Sequence, residues 1–344
     1  MATVQPFRAL RYETKIAGPL EALVAPPYDV ISEEQRAAYL ARSPYNIVHL
    51  TLPDSPREAA EDLGAWRTSG ALFRGGAAYW WVAQDSIGPD GAARVREGFA
   101  ASVEATPYDA GQVLPHERTH AGPKEDRLRL LRATRTQLEP IFLLYDADAP
   151  FSRPQGEPAM DVTDGGVRTR VWPLAAPEVT IDTPLLIADG HHRYETAIAF
   201  REEDPTATHT FAILVSSRAP GLQIFPTHRI VQRVGDVPGD EVDGPGPGVT
   251  LYREGRYLRV ATHDDFGPRV VESFAPEGVG YTASAEEAIA AVDRGEAAAA
   301  FLLQPVTVEQ VASFAYEGET MPQKSTFFFP KLTSGLLLYP VDGA

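Results

Sequence analysis

The sequence predicts an α+β protein, mixed α/β in detail, and three observations predict it. Apolar runs of strand length stand at 141–145, 185–188 and 209–216. Segments with helical apolar spacing stand at 56–69, 191–202 and 284–293. The two kinds intermix without a steady βαβ rhythm. A length of 344 residues suits two or three domains.

The elements follow in chain order. Residues 1–54 hold short apolar segments broken by Pro26-Pro27. Ser32 precedes Glu33, Glu34 and Gln35, so Ser32 caps a helix and Gln35 takes the capping-box position. Ala59, Leu63 and Trp66 share one face of the helix at 56–69. Residues 77–84 and 94–106 read as strands joined by a Gly/Pro/Asp turn. A helix is expected over 123–136, and 141–145 is a strand. The Pro-, Asp- and Gly-rich stretch 146–166 reads as an inserted loop. Strands are expected at 167–173, 185–188 and 209–216, with a helix from 191 to about 202. The run 235–248 reads as a linker. Beyond it come a strand-like alternation over 249–261, a helix at 284–293 and a strand at 298–303. A helix at 307–316 and a strand over 326–338, broken near Pro330, end the chain. Asn46 and His49 sit in another apolar, strand-like run, where His49 reads as a core histidine.

Composition narrows the function classes. The formal net charge of −16 opposes non-specific binding to nucleic acid or an anionic membrane. With no cysteine, disulfides, thiolate catalysis and cysteine-ligated zinc are excluded. No apolar run reaches membrane-spanning length and the first residues lack a signal-peptide core, so a cytoplasmic location is expected.

The segment 185–200, LLIADGHHRYETAIAF, carries the strongest chemical signal. A buried-strand pattern runs into Asp189-Gly190-His191-His192-Arg193, and Tyr194, Ala197, Ile198 and Phe200 follow at helical spacing. That is a strand, a tight turn and a helix start. A helix N-terminus attracts anions through its N–H groups and dipole. Gly190 permits close backbone approach. Arg193 can fork onto phosphate oxygens, and His191 or His192 can donate to them. The turn therefore reads as a phosphate-binding turn, for a nucleotide. A capping or surface role for the histidines stays open, and so does a metal pair. Adjacent histidines point apart, however, and no metal-ligand spacing follows, so no residue is assigned to a resident metal.

A second segment, 114–131, concentrates His116, Glu117, Arg118, Thr119, His120, Lys124, Glu125 and Asp126 around a helix start. A carboxylate there can act as general base on a substrate hydroxyl, and Lys124 can neutralise phosphoryl oxygens. The alternative is a solvated charged loop. Asp29, aimed by the Pro-Pro corner, is a candidate substrate contact or part of a rigid corner. His228 and Arg229 can hold a second anion or serve as ordinary pairing residues. Lys324 and Ser325 offer a cation and a hydroxyl after a Met-Pro turn, for phosphate or as the opening of a strand.

Pro115-His116-Glu117 followed by a helix, a strand and Asp189-Gly190-His191-His192-Arg193 resembles the free serine kinases of the ParB/sulfiredoxin-like superfamily. His191 stands where sulfiredoxin has its reactive cysteine, so sulfinic-acid reduction is not expected. Along nearly its whole length the chain resembles the family catalogued as domain of unknown function 1015. The marks are APPYDVIS (25–32), NIVHLTLP (46–53), LPHERT (114–119), PKEDRLRLLRATR (123–135), PIFLLY (140–145), DGHHRYETA (189–197), PTHRIV (226–231) and MPQKSTFFFPKL (321–332).

The resemblance implies a ParB/sulfiredoxin-like nucleotide-binding core over 111–234, with an N-terminal α/β region over 1–110 and a C-terminal one over 249–344. It implies ATP or ADP, and Mg²⁺ is expected from the reaction class, because such an ion neutralises developing phosphate charge. Glu117, Asp189 and His191 become catalytic candidates: Glu117 takes the proton of the substrate hydroxyl and Asp189 orients metal or substrate. Gly190, His192, Arg193 and Lys124 would bind phosphate; Asp29, His228, Arg229, Lys324 and Ser325 would bind substrate. The interval from Glu117 to Asp189 is longer than in the kinases, with 146–166 as the cause. The implied function is a phosphotransfer enzyme acting on a small hydroxyl metabolite, L-serine or phosphoserine first. The alternatives are a phosphoserine phosphatase using His191 or His192, and a non-catalytic nucleotide-binding regulator. The expected partners are the small substrate and the nucleotide, not nucleic acid or membrane.

Overall fold

The computed structural model describes residues 2–117, 121–275 and 278–341. Arg118, Thr119 and His120 of the charged segment lie outside the described residues. The chain forms two compact units, one of residues 1–115, 119–222 and 330–344, the other of 116–118 and 223–329.

The larger unit is built on one mixed sheet that, among the described residues, has ten strands. They are β1 (Ala2–Gln5), β2 (Tyr79–Ile87), β3 (Ala93–Glu104), β4 (Val113–Leu114), β5 (Ile141–Tyr145), β6 (Met160–Asp164), β7 (Val167–Leu174), β8 (Val179–Ile181), β9 (Leu185–Asp189) and β10 (His209–Ser216). The order is β4-β9-β5-β10-β3-β2-β7-β6, and β1 pairs with both β3 and β8. Parallel pairs (β5 with β10, β4 with β9) sit among antiparallel ones. The central strands are apolar on both faces, as β5 shows with every residue buried. Helices α1 (Glu33–Leu40), α2 (Pro56–Thr68), α3 (Ala121–Thr134) and α4 (His191–Glu203) belong to this unit. The capping box at Ser32 and Gln35 is present. Ala59, Leu63 and Trp66 are the buried residues of α2, so its apolar face was readable from spacing alone.

Because β1 joins the sheet that holds β9 and β10, the sequence-predicted boundary near residue 110 falls inside one sheet. A separate two-stranded pair brings residues near 340 back to the larger unit: Tyr339–Pro340 pairs with Thr136–Gln137. Asn46 to Thr51 is not a strand. The Asn46 carboxamide oxygen accepts from Val48 N at 3.0 Å, and Val48–Thr51 forms a helical turn. The expected loop 146–166 contains β6, which alternates buried and exposed residues against β7.

The smaller unit holds a six-stranded sheet of β12 (His228–Val231), β13 (Gly239–Val242), β14 (Thr250–Arg253), β15 (Arg256–Val260), β16 (Val279–Thr282) and β17 (Ala299–Leu302). A separate pair is formed by β11 (Gln223–Phe225) and β18 (Phe327–Phe329). Its helices are α5 (Gly267–Phe274), α6 (Ala285–Asp293) and α7 (Val308–Tyr316), the last two capped by Ser284 and Thr307. The expected linker 235–248 contributes β13, an exposed edge strand paired with β15. The single strand expected over 249–261 is a hairpin. Glu254 and Gly255 have φ of 52° and 76°, the two positive values a tight hairpin turn requires. Of the strand expected over 326–338, the residues 327–329 are extended in a pair. No helix among the described residues is long and apolar enough to cross a membrane.

Candidate functional site

The turn after β9 is built as its sequence suggests. Leu185 to Ala188 are buried, and the chain leaves the sheet at Asp189. Gly190 takes φ 94° and ψ 30°, a left-handed conformation that favours glycine, and α4 starts at His191. Tyr194, Ala197 and Phe200 are buried, and the Tyr194 hydroxyl donates to Thr106 O at 2.8 Å, fixing the helix on the unit's core. A Cβ at position 190 would lie 3.0 Å from the Arg193 guanidinium carbon. Gly190→Ala is therefore expected to cost about 1–2 kcal/mol in backbone strain and to displace Arg193. Urea denaturation measures this, and an unchanged midpoint would contradict it.

Arg193 does not fork outward onto a ligand. Its side chain is 10% exposed, Nη2 lies 2.6 Å from Asp189 Oδ2, and Nη1 donates to the Pro140 carbonyl. The second Asp189 oxygen accepts from Lys331 Nζ at 2.5 Å. The sequence assigned Arg193 to phosphate and Asp189 to metal or substrate. In the structure each satisfies the other, because a buried charge needs its partner inside the fold. Burial pushes the Asp189 carboxyl up, but Lys331 and then Arg193 outweigh it and hold it well below the usual range. Asp189 also interacts with Arg96, which is 2% exposed and stacks on Phe142 at 4.5 Å. Burial draws the Arg96 guanidinium down to about 9, against the pull of Asp189, so it stays charged at neutral pH. The Asp189 carboxylate thus faces Arg193, Lys331 and Arg96 at the start of α4.

Behind Arg193 lies Glu139, 6% exposed. Its Oε1 accepts from Tyr28 N at 2.9 Å and from Ser334 Oγ at 3.0 Å. Burial raises the Glu139 carboxyl, against Arg193 and the Tyr28 amide. This carboxylate ties the Pro-Pro corner to the turn, and it brings Asp29 within electrostatic reach of Arg193. Burial, opposed by Arg193, pushes the Tyr28 hydroxyl up to about 12, while Arg127 stacks 4.2 Å from its ring centre. Lys124 lies 3.8 Å from Glu195, one turn into α4.

The smaller unit gathers the other candidates. Glu117 Oε1 accepts from the Lys324 backbone N–H at 2.7 Å, and Glu117 forms a short parallel bridge with Met321. Lys324 has φ 54°, unusual for a side chain beyond Cβ, so this bond holds a strained turn in place. Its own side chain is exposed. Ser325 is 3% exposed and donates to Pro322 O at 2.5 Å, which places its hydroxyl inside the turn. Arg229 is 3% exposed, donates to the carbonyls of Thr227 and Gln323, lies 4.8 Å from the Tyr281 ring centre and feels the charge of Glu117.

His228 accepts from Leu303 N through Nδ1 at 3.1 Å, and burial together with Arg229 draws it down to about 4. The native state keeps it neutral, whereas the unfolded chain protonates near pH 6.5. Stability is then expected to fall as pH drops from about 6.5 towards the folded value of about 4. His228→Gln should flatten that part of a pH–stability profile measured by urea denaturation, and an unaltered slope would contradict it.

The larger unit therefore gathers Asp29, Asp189, Gly190, His191, His192 and Arg193, and the smaller gathers Glu117, Lys324, Ser325, His228 and Arg229. Lys331, Glu139, Arg96 and Tyr28 were missed. Lone charges inside apolar runs, as in FFFPKL and LEPIFLL, were the available signal. Asp189 does not fit a Mg²⁺ ligand, because both its oxygens accept from cations. Among the described residues no group of three or more His, Asp or Glu side chains is placed to hold a metal.

Fold and site together define a mixed α/β protein whose larger unit carries a helix start backed by a buried cluster of ion pairs. The chain belongs to the family described as Protein of unknown function (DUF1015), whose model matches residues 4–242. No curated protein matches it. Among solved structures it is similar to a conserved hypothetical protein from Pyrococcus furiosus, at 15% identity and TM-score 0.43, over 71% of this chain and 96% of that one. A free serine kinase in complex with AMP is similar at 14% identity and TM-score 0.43, over 69% and 92%. C-terminally truncated SbnI from Staphylococcus aureus is similar at 13% identity and TM-score 0.45, over 70% and 87%.

Proposed function

We propose that this chain is a phosphotransfer enzyme that holds the phosphates of ATP or ADP at the start of α4 and acts on the hydroxyl of a small metabolite, L-serine or phosphoserine first. One observation carries the reading: the left-handed glycine opens a helix whose first turn is held from behind by Asp189, both of whose oxygens are paired, with Arg193 and Lys331. The helix dipole and the N–H groups of that first turn act in the same direction on an incoming anion. Phosphoryl transfer asks chiefly for positioning and charge neutralisation, which such a turn supplies. Arg193 acts here as a positioning residue for the turn, with Gly190, His191 and His192 facing the phosphates. Glu117 is the candidate base, because Pro115-His116-Glu117 resembles the corresponding motif of the serine kinases. Lys124, Asp29 and Lys324 are secondary contacts to be tested by substitution.

A thermal-shift screen with ATP, ADP and AMP is the first test. A ligand that binds only the folded form at 100 times its Kd stabilises by about 2.7 kcal/mol. ATP or ADP is expected to raise the melting temperature, and serine with ATP is expected to yield phosphoserine. Absence of both effects would overturn the reading. Phosphate release from phosphoserine without ADP would instead identify a phosphatase.

A further inference from the structure

One guanidinium of the larger unit has no part in that reading. Leu10–Tyr12 pairs antiparallel with Leu72–Arg74, and the register sets Arg11 opposite Phe73. Leu10, Tyr12 and Leu72 are buried, so strand alternation turns Arg11 and Phe73 to the other side. There the Arg11 guanidinium carbon lies 4.7 Å from the Phe73 ring centre and 4.7 Å from that of Trp80. Trp80 is 3% exposed and Phe73 37%, so the group has an inner and an outer ring. Burial lowers the Arg11 pKa from its ordinary value. No carboxylate among the described residues acts on it, although the chain carries 47 Asp and Glu against 31 Lys and Arg. Glu13, two residues on, accepts from Lys15 N at 3.2 Å instead. Arg11 Nε is buried without an acceptor, and so is Trp80 Nε1. Nη1 and Nη2 of Arg11 donate to no described residue. The wall beside Nη2 is glycine: a Cβ at position 75 would lie 3.0 Å from it, and one at Gly76 would meet open space.

We propose that Arg11 binds a small anionic ligand, whose phosphate or carboxylate group is taken end-on by Nη1 and Nη2. Buried polar groups in folded proteins are paired, so a half-buried guanidinium with no described acceptor marks a group kept for a partner. Its planar fork matches two oxygens of such an oxyanion. The two rings fix the plane of that fork before the ligand arrives, which lowers the ordering cost of binding. Gly75 leaves the Nη edge uncovered, where a side chain would crowd it. The outer ring of Phe73 offers an apolar surface to the ligand's carbon skeleton.

The test uses the full chain with isotope-labelled arginine and tryptophan. The Arg11 Nε–H and Trp80 Nε1–H signals are assigned by their loss in R11K and W80F. Inorganic phosphate and acetate are titrated separately, with sodium chloride of equal ionic strength as the reference. At least one of the two anions is expected to shift both signals saturably. A response to phosphate alone assigns the phosphate class, to acetate alone the carboxylate class, and to both the shared oxyanion fork. R11K keeps the charge but not the fork, so the Trp80 response should weaken at least tenfold. G75A keeps Arg11 and should weaken the response by crowding Nη2, which serves should R11K fail to fold. The proposal is overturned if neither anion moves the signals further than chloride does, or if either variant responds as the wild-type chain does.

Discussion

Asp189→Asn is expected to destabilise the larger unit by about 3–5 kcal/mol, the loss typical when one member of a buried ionic group is removed. Both oxygens of Asp189 accept from cations, and the side chains of Asp189, Arg193 and Lys331 are 14%, 10% and 20% exposed. Asparagine keeps the shape but removes the charge, and its NH₂ must point a donor at either Lys331 or Arg193. Two cations then remain buried around a neutral amide. The acid limb changes as well. The folded Asp189 carboxyl titrates below its unfolded value, so its contribution is complete above about pH 4 and is lost as pH falls further. Equilibrium denaturation of D189N against pH should show lower stability at pH 7 and a flatter acid limb. Wild-type stability would contradict the assigned pairing.

Glu117→Gln carries the largest expected effect on turnover. General-base catalysis contributes about 10²–10⁴-fold, so under the proposed function serine phosphorylation should fall by at least a hundredfold. Glutamine retains an oxygen that can accept from Lys324 N, so the strained turn stays capped and the protein stays folded. Glu117→Ala removes that acceptor and should lower stability as well. The two variants separate chemistry from structure: E117Q loses turnover with its melting temperature intact, and E117A loses both. Undiminished turnover in E117Q would remove Glu117 from the role of base.

The parts of the fold that were legible are those with a local cause. Ser32, Ser284 and Thr307 announce helices through caps, and 141–145 and 209–216 announce strands through uninterrupted apolar runs. The missed parts take their structure from neighbours. β13 is polar and exposed, and is a strand because β15 offers it an edge. β6 is hidden in a Pro- and Asp-rich stretch and is fixed by its hairpin with β7. Asn46 turns an apolar, β-branched run into a helical turn by a side-chain bond that spacing does not reveal.

The site divides in the same way. The turn at 189–193 was visible because Gly190 and the helix start are encoded within a few residues. Its inner partners were not, because Lys331 and Glu139 lie far from the turn in sequence and meet it only in the folded unit. Arg193 is reassigned by a local pair, with Asp189 four residues before it. Sequence shows both residues but not that they are buried together and turned towards each other.

The central claim is that a nucleotide's phosphates sit at the start of α4. A crystal structure of the protein with ADP tests it most directly. Phosphate oxygens are expected at roughly 2.7–3.2 Å from the amide nitrogens of the first turn of α4, with Asp189, Arg193 and Lys331 still paired behind them. ADP bound elsewhere, with nothing at His191 and His192, would contradict it.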